Sequence, residues 1–187
     1  MRISHKHKFV FIAVPKTGST SVRSVIDPYS DIVSVNDGNS PYKHHTTALN
    51  LKSHFKSQDW DWNGYYKFSV VRNPWERRVS SWAYRLKKNQ HNHTEFKDFV
   101  RHYPASPQFN WLSDEDNNLL MDYVFKLEDP DGMDKVFDKL KVPKAKLPHK
   151  NRNGHEHYTA YYDDETREIV SKKYAKDIEY FGYRFGE

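Results

Sequence analysis

The chain contains no cysteine, which excludes structural disulfides and thiolate metal sites. No apolar stretch approaches the roughly 20 residues of a membrane-spanning helix, and the opening segment Met1-Arg2-Ile3-Ser4-His5-Lys6-His7-Lys8 lacks an apolar signal core. A soluble, cytoplasmic protein is the expectation from these absences. Internal repeats and low-complexity linkers are also missing, and 187 residues suit one domain spanning 1–187, large enough to bury a core. The formal net charge is +5 and the pI is near 9.1. That balance favours anionic ligands without choosing among a nucleotide, an acidic glycan and nucleic acid.

What is present is an alternation of strand and helix patterns. Apolar or β-branched runs predict strands at Phe9 to Val14, Ile32 to Val35, Tyr66 to Val71 and Tyr123 to Leu127. Helical periodicity predicts helices over Ser19 to Ile26, Thr47 to Phe55, Pro74 to Leu86, Glu95 to Tyr103, Met133 to Leu140 and Glu165 to Ile178. Alternation of this kind makes a mostly parallel sheet flanked by helices the economical α/β architecture. Ligands of such sheets sit at the carboxyl ends of the strands.

Two strand ends carry anion chemistry. After the first strand comes Pro15-Lys16-Thr17-Gly18-Ser19-Thr20-Ser21. Gly18 allows a tight turn, Thr17, Ser19, Thr20 and Ser21 offer hydroxyls, the starting helix offers unpaired N–H groups, and Lys16 adds a full charge. A capped turn without a ligand would carry the same residues. After the third strand comes Arg72-Asn73-Pro74-Trp75-Glu76-Arg77-Arg78-Val79-Ser80, with Asn73 as N-cap and Pro74 at the first helical position. The Arg72 fork suits a phosphate, and Ser80, about two turns into the helix, is placed to share it.

With both motifs in hand, the chain resembles the sulfotransferases that use 3′-phosphoadenosine 5′-phosphosulfate, in particular the carbohydrate (Golgi-type, family 2) branch. In that family a Pro-Lys-x-Gly-Ser/Thr-x loop grips the 5′-phosphosulfate and an Arg-Asn/Asp-Pro-x-x-Arg-x-x-Ser segment grips the 3′-phosphate. The resemblance continues through His45-Thr46-Thr47-Ala48, Tyr123 to Asp129, Leu147-Pro148-His149-Lys150-Asn151, and Tyr161 to Asp164 through Asp177 to Tyr183. It implies a P-loop-like three-layer α/β domain, the phosphosulfate donor with 3′-phosphoadenosine 5′-phosphate (PAP) as product, and a hydroxyl acceptor of the glycan class. It also implies that the loop with Lys150 and Arg152 lies over the nucleotide, although solvated surface charges would look the same. Eukaryotic members carry an anchor and often disulfides; this chain looks like a trimmed bacterial or viral form.

Under that resemblance the chemistry can be assigned. Lys16 is suited to relieve charge on the bridging oxygen as its bond to sulfur lengthens, and no metal is required. The family's His-x-Thr-Ala pattern makes His45 the first candidate for the base, with His44 second and helix capping as the non-catalytic alternative for both. The pairs His91/His93 and His155/His157 lie in polar stretches without strand character and do not make a metal site. Most aromatics fit core faces; among Trp60, Trp62, Tyr65, Trp111 and Tyr84, one is a candidate to stack on adenine and another on a sugar ring. A P-loop kinase is disfavoured because Lys16 precedes Gly18, whereas the nucleotide loop places lysine after its last glycine. A non-catalytic binder of an anionic glycan or nucleic acid stays open. The acceptor is not readable, since the stretches Ser34 to Lys43, Lys87 to Thr94 and Tyr103 to Asn118 carry no decodable motif.

Overall fold

The structure is a computed structural model; it describes the chain apart from residues 35–41, 91, 105 and 149–155. The chain gathers into two compact units, Met1–Val71 with Asn110–Lys150, and Arg72–Phe109 with Asn151–Glu187. The first holds a 5-stranded sheet in the order β3-β1-β2-β4-β5. Its strands are β1 Arg2–Ser4, β2 Phe9–Ile12, β3 Ile32–Val33, β4 Tyr66–Val71 and β5 Tyr123–Lys126.

The parallel part of the sheet matches the expectation. β2 pairs with β4 in register Phe11↔Phe68 and Ile12↔Ser69, and β4 pairs with β5 in register Val71↔Lys126. The pattern did not reveal β1, which pairs antiparallel with both β2 and β3. It alone runs against the other strands. At 3 residues, Arg2-Ile3-Ser4 is too short to show an alternation. It is held in place by its turn: Asp31 Oδ2 accepts from Ser4 Oγ at 3.1 Å and from Lys6 N at 3.0 Å.

One face of this sheet forms the core. Phe9, Phe11 and Ala13 alternate toward it from β2 and just beyond, Phe68 and Val70 from β4, and Phe125 from β5. Helix α1 (Ser19–Ile26) lays Val22 and Ile26 on that cluster, and α6 (Gly132–Leu140) adds Met133, Val136, Phe137 and Leu140. The α6 residues recur at i, i+3, i+4 and i+7, one face of a helix. Helix α2 (Ala48–Ser57) buries Ala48, Leu51 and Phe55. Around Phe55 the rings of Trp60, Trp62 and Tyr65 stand edge-on at 5.3, 5.1 and 5.0 Å. Trp62 and Tyr65 are buried there, so these rings serve packing and are not open platforms.

The second unit is helical: α3 (Pro74–Lys87), α4 (Phe96–His102), α7 (Asp164–Lys173) and α8 (Ala175–Phe181), with the short α5 (Phe109–Leu112) beginning at its edge. Asn73 caps α3 as expected, its Oδ1 accepting from Trp75 N at 3.0 Å and Glu76 N at 3.3 Å. Arg78 is buried and donates to the carbonyls of Phe99, Tyr103 and Pro104 at 2.8, 2.6 and 3.1 Å. Phe99 O also accepts from Tyr103 N at 3.0 Å, so Arg78 reinforces the C-terminal end of α4 and binds the carbonyls that follow it. The single helix expected over Glu165 to Ile178 is instead two. Tyr174 takes a non-helical conformation (φ −115°, ψ 24°) between α7 and α8. The break turns Asp177, not a further apolar residue, into the interior, where it is fully buried. No glycine or proline in that stretch announces it.

Phe68 lies at the centre of the sheet core, its ring 5.2 Å from Phe11 and 5.9 Å from Phe9. Phe68→Ala is expected to cost about 3–5 kcal/mol, read from the shift in urea midpoint; a loss below about 1 kcal/mol would mean that this core is not packed as described.

Candidate active site

The first unit holds one candidate anion motif, at the end of β2. After Val14 the chain turns through two left-handed residues, Lys16 at φ 68° and Gly18 at φ 72°. Left-handed geometry costs a non-glycine residue roughly 1–2 kcal/mol, so Lys16 is held by its surroundings. At Gly18 a Cβ would stand 2.7 Å from Leu127 Cδ1, and the backbone there is one that side chains rarely adopt. Between them the buried Thr17 donates its hydroxyl to Val14 O at 2.9 Å, closing the turn on the strand it leaves. Gly18 occupies the N-cap of α1 and brings no capping side chain. The N–H groups of Ser19 and Thr20 consequently have no partner among the described residues, the condition for binding an anion at a helix start. Ser19 and Ser21 are buried and Thr20 is exposed.

Both histidine candidates lie in this unit, and their hydrogen bonds separate them. His45 Nδ1 is 2.7 Å from Ala13 O. A carbonyl only accepts, so Nδ1 carries the proton and Nε2 of the neutral ring holds the lone pair. His44 Nδ1 is 2.8 Å from Arg23 Nη1 and 2.6 Å from Ser34 Oγ. A guanidinium only donates, so here Nδ1 accepts and the neutral ring keeps its proton on Nε2. Burial, and then the charge of Arg23, hold the His44 imidazole below its ordinary value of 6.5. His44 is therefore built into an Arg23–Ser34 network, whereas exposed His45 is anchored through Nδ1 at the end of β2, one residue before Val14. The ring of Trp111 stands edge-on to His45 at 6.2 Å.

The second unit holds the other motif. Arg72, the residue after β4, pairs through Nη2 with Glu76 Oε1 at 2.7 Å, and its Nε is buried without a hydrogen-bond partner. Glu76 and Ser80 are four apart in α3 and so share a face. The side chain of buried Ser80 makes no hydrogen bond among the described residues. This motif thus retains donor capacity beside a fixed cation, which an anion would use. Lys150 and Arg152 lie outside the described residues.

Sequence reasoning missed Gln108 and Asp177. The Gln108 amide pairs with both backbone groups of Arg72, accepting from its N–H at 2.9 Å and donating to its carbonyl at 2.8 Å. No sequence signal finds such a pair, because its partners are 36 residues apart and no periodicity links them.

Comparison with known proteins decides the family. Residues 1–184 match the pattern described as Sulfotransferase family. The chain belongs to that family. The chain is 27% identical over 156 residues to carbohydrate sulfotransferase 10 of Homo sapiens, covering 67% of this chain and 43% of the human protein. It is 33% identical over 85 residues to the Xenopus laevis protein of the same name, covering 42% of this chain and 24% of that one. The chain thus spans less than half the length of these curated relatives. Among solved structures it is similar to mouse sulfotransferase SULT7A1 complexed with PAP, at 13% identity and a TM-score of 0.48, covering 94% of this chain and 86% of that chain. Among the described residues no helix is long and apolar enough to cross a membrane, and no group of three or more His, Cys, Asp or Glu could hold a metal ion.

The two histidine tautomers can be read by long-range proton–nitrogen correlation spectra. His45 is expected as the Nδ1–H form and His44 as the Nε2–H form, with His44 titrating below 6.5. Its depressed value means that the unfolded chain binds this proton more readily. The stabilisation is present above 6.5 and lost as pH falls toward the folded value. Interchanged tautomers would contradict the assignment.

Proposed function

We propose that this sulfotransferase moves the sulfuryl group of 3′-phosphoadenosine 5′-phosphosulfate to a hydroxyl of a carbohydrate. The observation that carries the reading is that one strand end supports both a strained cationic turn and a histidine fixed in its Nδ1–H tautomer: Lys16 follows β2 at φ 68°, and His45 Nδ1 is tied to Ala13 O at 2.7 Å. The family membership and the named carbohydrate sulfotransferases among its relatives support the reaction class and the acceptor class.

In this reading the Lys16 turn and the first-turn N–H groups of α1 receive the 5′-phosphosulfate, and Arg72 with Ser80 receives the 3′-phosphate. His45 Nε2 takes the proton of the acceptor hydroxyl as its oxygen forms a bond to sulfur. The bond from sulfur to the bridging oxygen breaks, and the electron pair stays on that oxygen as PAP leaves. Lys16 meets the charge growing there, which favours the transition state over the ground state. His44, whose Nδ1 accepts from Arg23, supports the segment leading to His45 and takes no proton. Trp111, beside His45, is the aromatic best suited to stack on an acceptor sugar.

The direct experiment incubates the protein with labelled donor and a panel of carbohydrate acceptors and follows label on the sugar together with PAP release. Transfer supports the reading; donor binding without transfer to any acceptor would instead favour a non-catalytic binder. His45→Ala should keep PAP affinity while losing on the order of 10²–10⁴-fold in turnover, and the acid limb of its rate profile should disappear. His44→Ala should retain that limb. Exchange of these phenotypes would make His44 the base.

A further inference from the structure

Asp177 is a fully buried carboxylate that the proposed chemistry does not use, and its partners lead to the donor motif. Its Oδ2 accepts from Gln108 N at 2.8 Å and from Gln108 Nε2 at 3.2 Å, and its Oδ1 accepts from Phe109 N at 2.8 Å. Burial pushes its carboxyl upward, and the N–H donors of Gln108 and Phe109 and the charge of Arg77 oppose that. So held, the Gln108 amide presents Oε1 to Arg72 N and Nε2 to Arg72 O. It pairs with Arg72 as a neighbouring strand would, through one acceptor and one donor, at a residue lying just past the end of β4.

We propose that Gln108 is a positioning residue for the 3′-phosphate grip: its side-chain amide fixes the Arg72 backbone from both sides, Asp177 fixes the amide, and the orphaned Arg72 Nε is thereby aimed at phosphate. The inference rests on the donor-site reading of Arg72. Three observations converge on it. Both hydrogen-bonding groups of the Arg72 main chain are taken up by one side chain. The Arg72 fork is turned by Glu76 at 2.7 Å. The buried Nε has no partner, a cost in the free protein that binding a charged oxygen would relieve. A guanidinium on a loosely held backbone would have to be ordered by each incoming ligand, at a cost in affinity. Glutamine is the residue type required, because it alone pairs an acceptor and a donor at that reach; glutamate is isosteric but cannot donate once ionised.

The test compares PAP with adenosine 5′-phosphate, which lacks the 3′-phosphate, on wild type, Gln108→Ala, Gln108→Glu and Arg72→Ala by calorimetry between pH 5.5 and 8. Gln108→Ala should weaken PAP about 3- to 10-fold and leave adenosine 5′-phosphate unchanged. Gln108→Glu should approach wild type at low pH, where its protonated carboxyl can donate to Arg72 O. It should fall away as pH rises, because the ionised group then faces both that carbonyl and the Asp177 carboxylate. Each affinity is taken relative to wild type at the same pH, which removes the titration of the nucleotide and of other groups. Equal losses for both nucleotides, or a Gln108→Glu effect independent of pH, would reduce Gln108 to a structural residue and overturn the proposal. If Arg72→Ala leaves PAP binding intact, it is the donor-site reading that fails, and the outcomes are thereby separable.

Discussion

The parallel pairing of β2 with β4 is the constraint on which the rest depends. Ile12 stands opposite Ser69, and the Ser69 hydroxyl donates to Ile12 O at 2.8 Å in the interior, so the two strands end level at one edge of the sheet. The residues that follow them in the chain are the Lys16 turn and Arg72. A one-residue slip would turn every inward side chain of β4 outward, and the Phe9, Phe11 and Phe68 contacts that fill the core resist it. Packing energy thus sets the register, and register sets where the two strands end.

Backbone strain and unpartnered donors occur where the chemistry is proposed, and left-handed residues such as Lys8, Asp59 and Asn89 show that strain is not unique to it. Left-handed Lys16 is strained, and the uncapped start of α1 and the unpartnered Arg72 Nε each cost the free protein something that a bound anion would repay. The Arg78 Nε is likewise buried without a partner, but its terminal nitrogens donate to three carbonyls of its own unit. Arg72 and Arg78, six residues apart in the sequence, therefore have different uses, and their other hydrogen-bond partners tell them apart.

Much of this was legible in the sequence because it is written locally. The strand–turn–helix around Gly18 and the Asn73-Pro74 start of α3 are short-range signals with fixed spacing, and both elements formed where expected. What escaped is determined by distant partners. β1 exists because β2 and β3 flank it. The difference between His44 and His45 rests on Arg23 and Ala13, 21 and 32 residues away. Gln108 lies in a stretch that reads as a motif-free acceptor loop, yet its amide meets Arg72 and its main chain meets Asp177, 69 residues on. The break at Tyr174 that buries Asp177 follows a tertiary demand for an acceptor that no helical pattern records.

The central claim is that two strand-end motifs read two phosphates of one nucleotide. It is tested most directly on the unaltered protein by comparing the affinities of PAP, adenosine 5′-phosphate and adenosine 3′-phosphate at fixed salt. The account predicts that each single phosphate binds at least about tenfold more weakly than the pair, since every charged contact removed costs roughly 1.5–3 kcal/mol. Equal affinity for PAP and either monophosphate would contradict it.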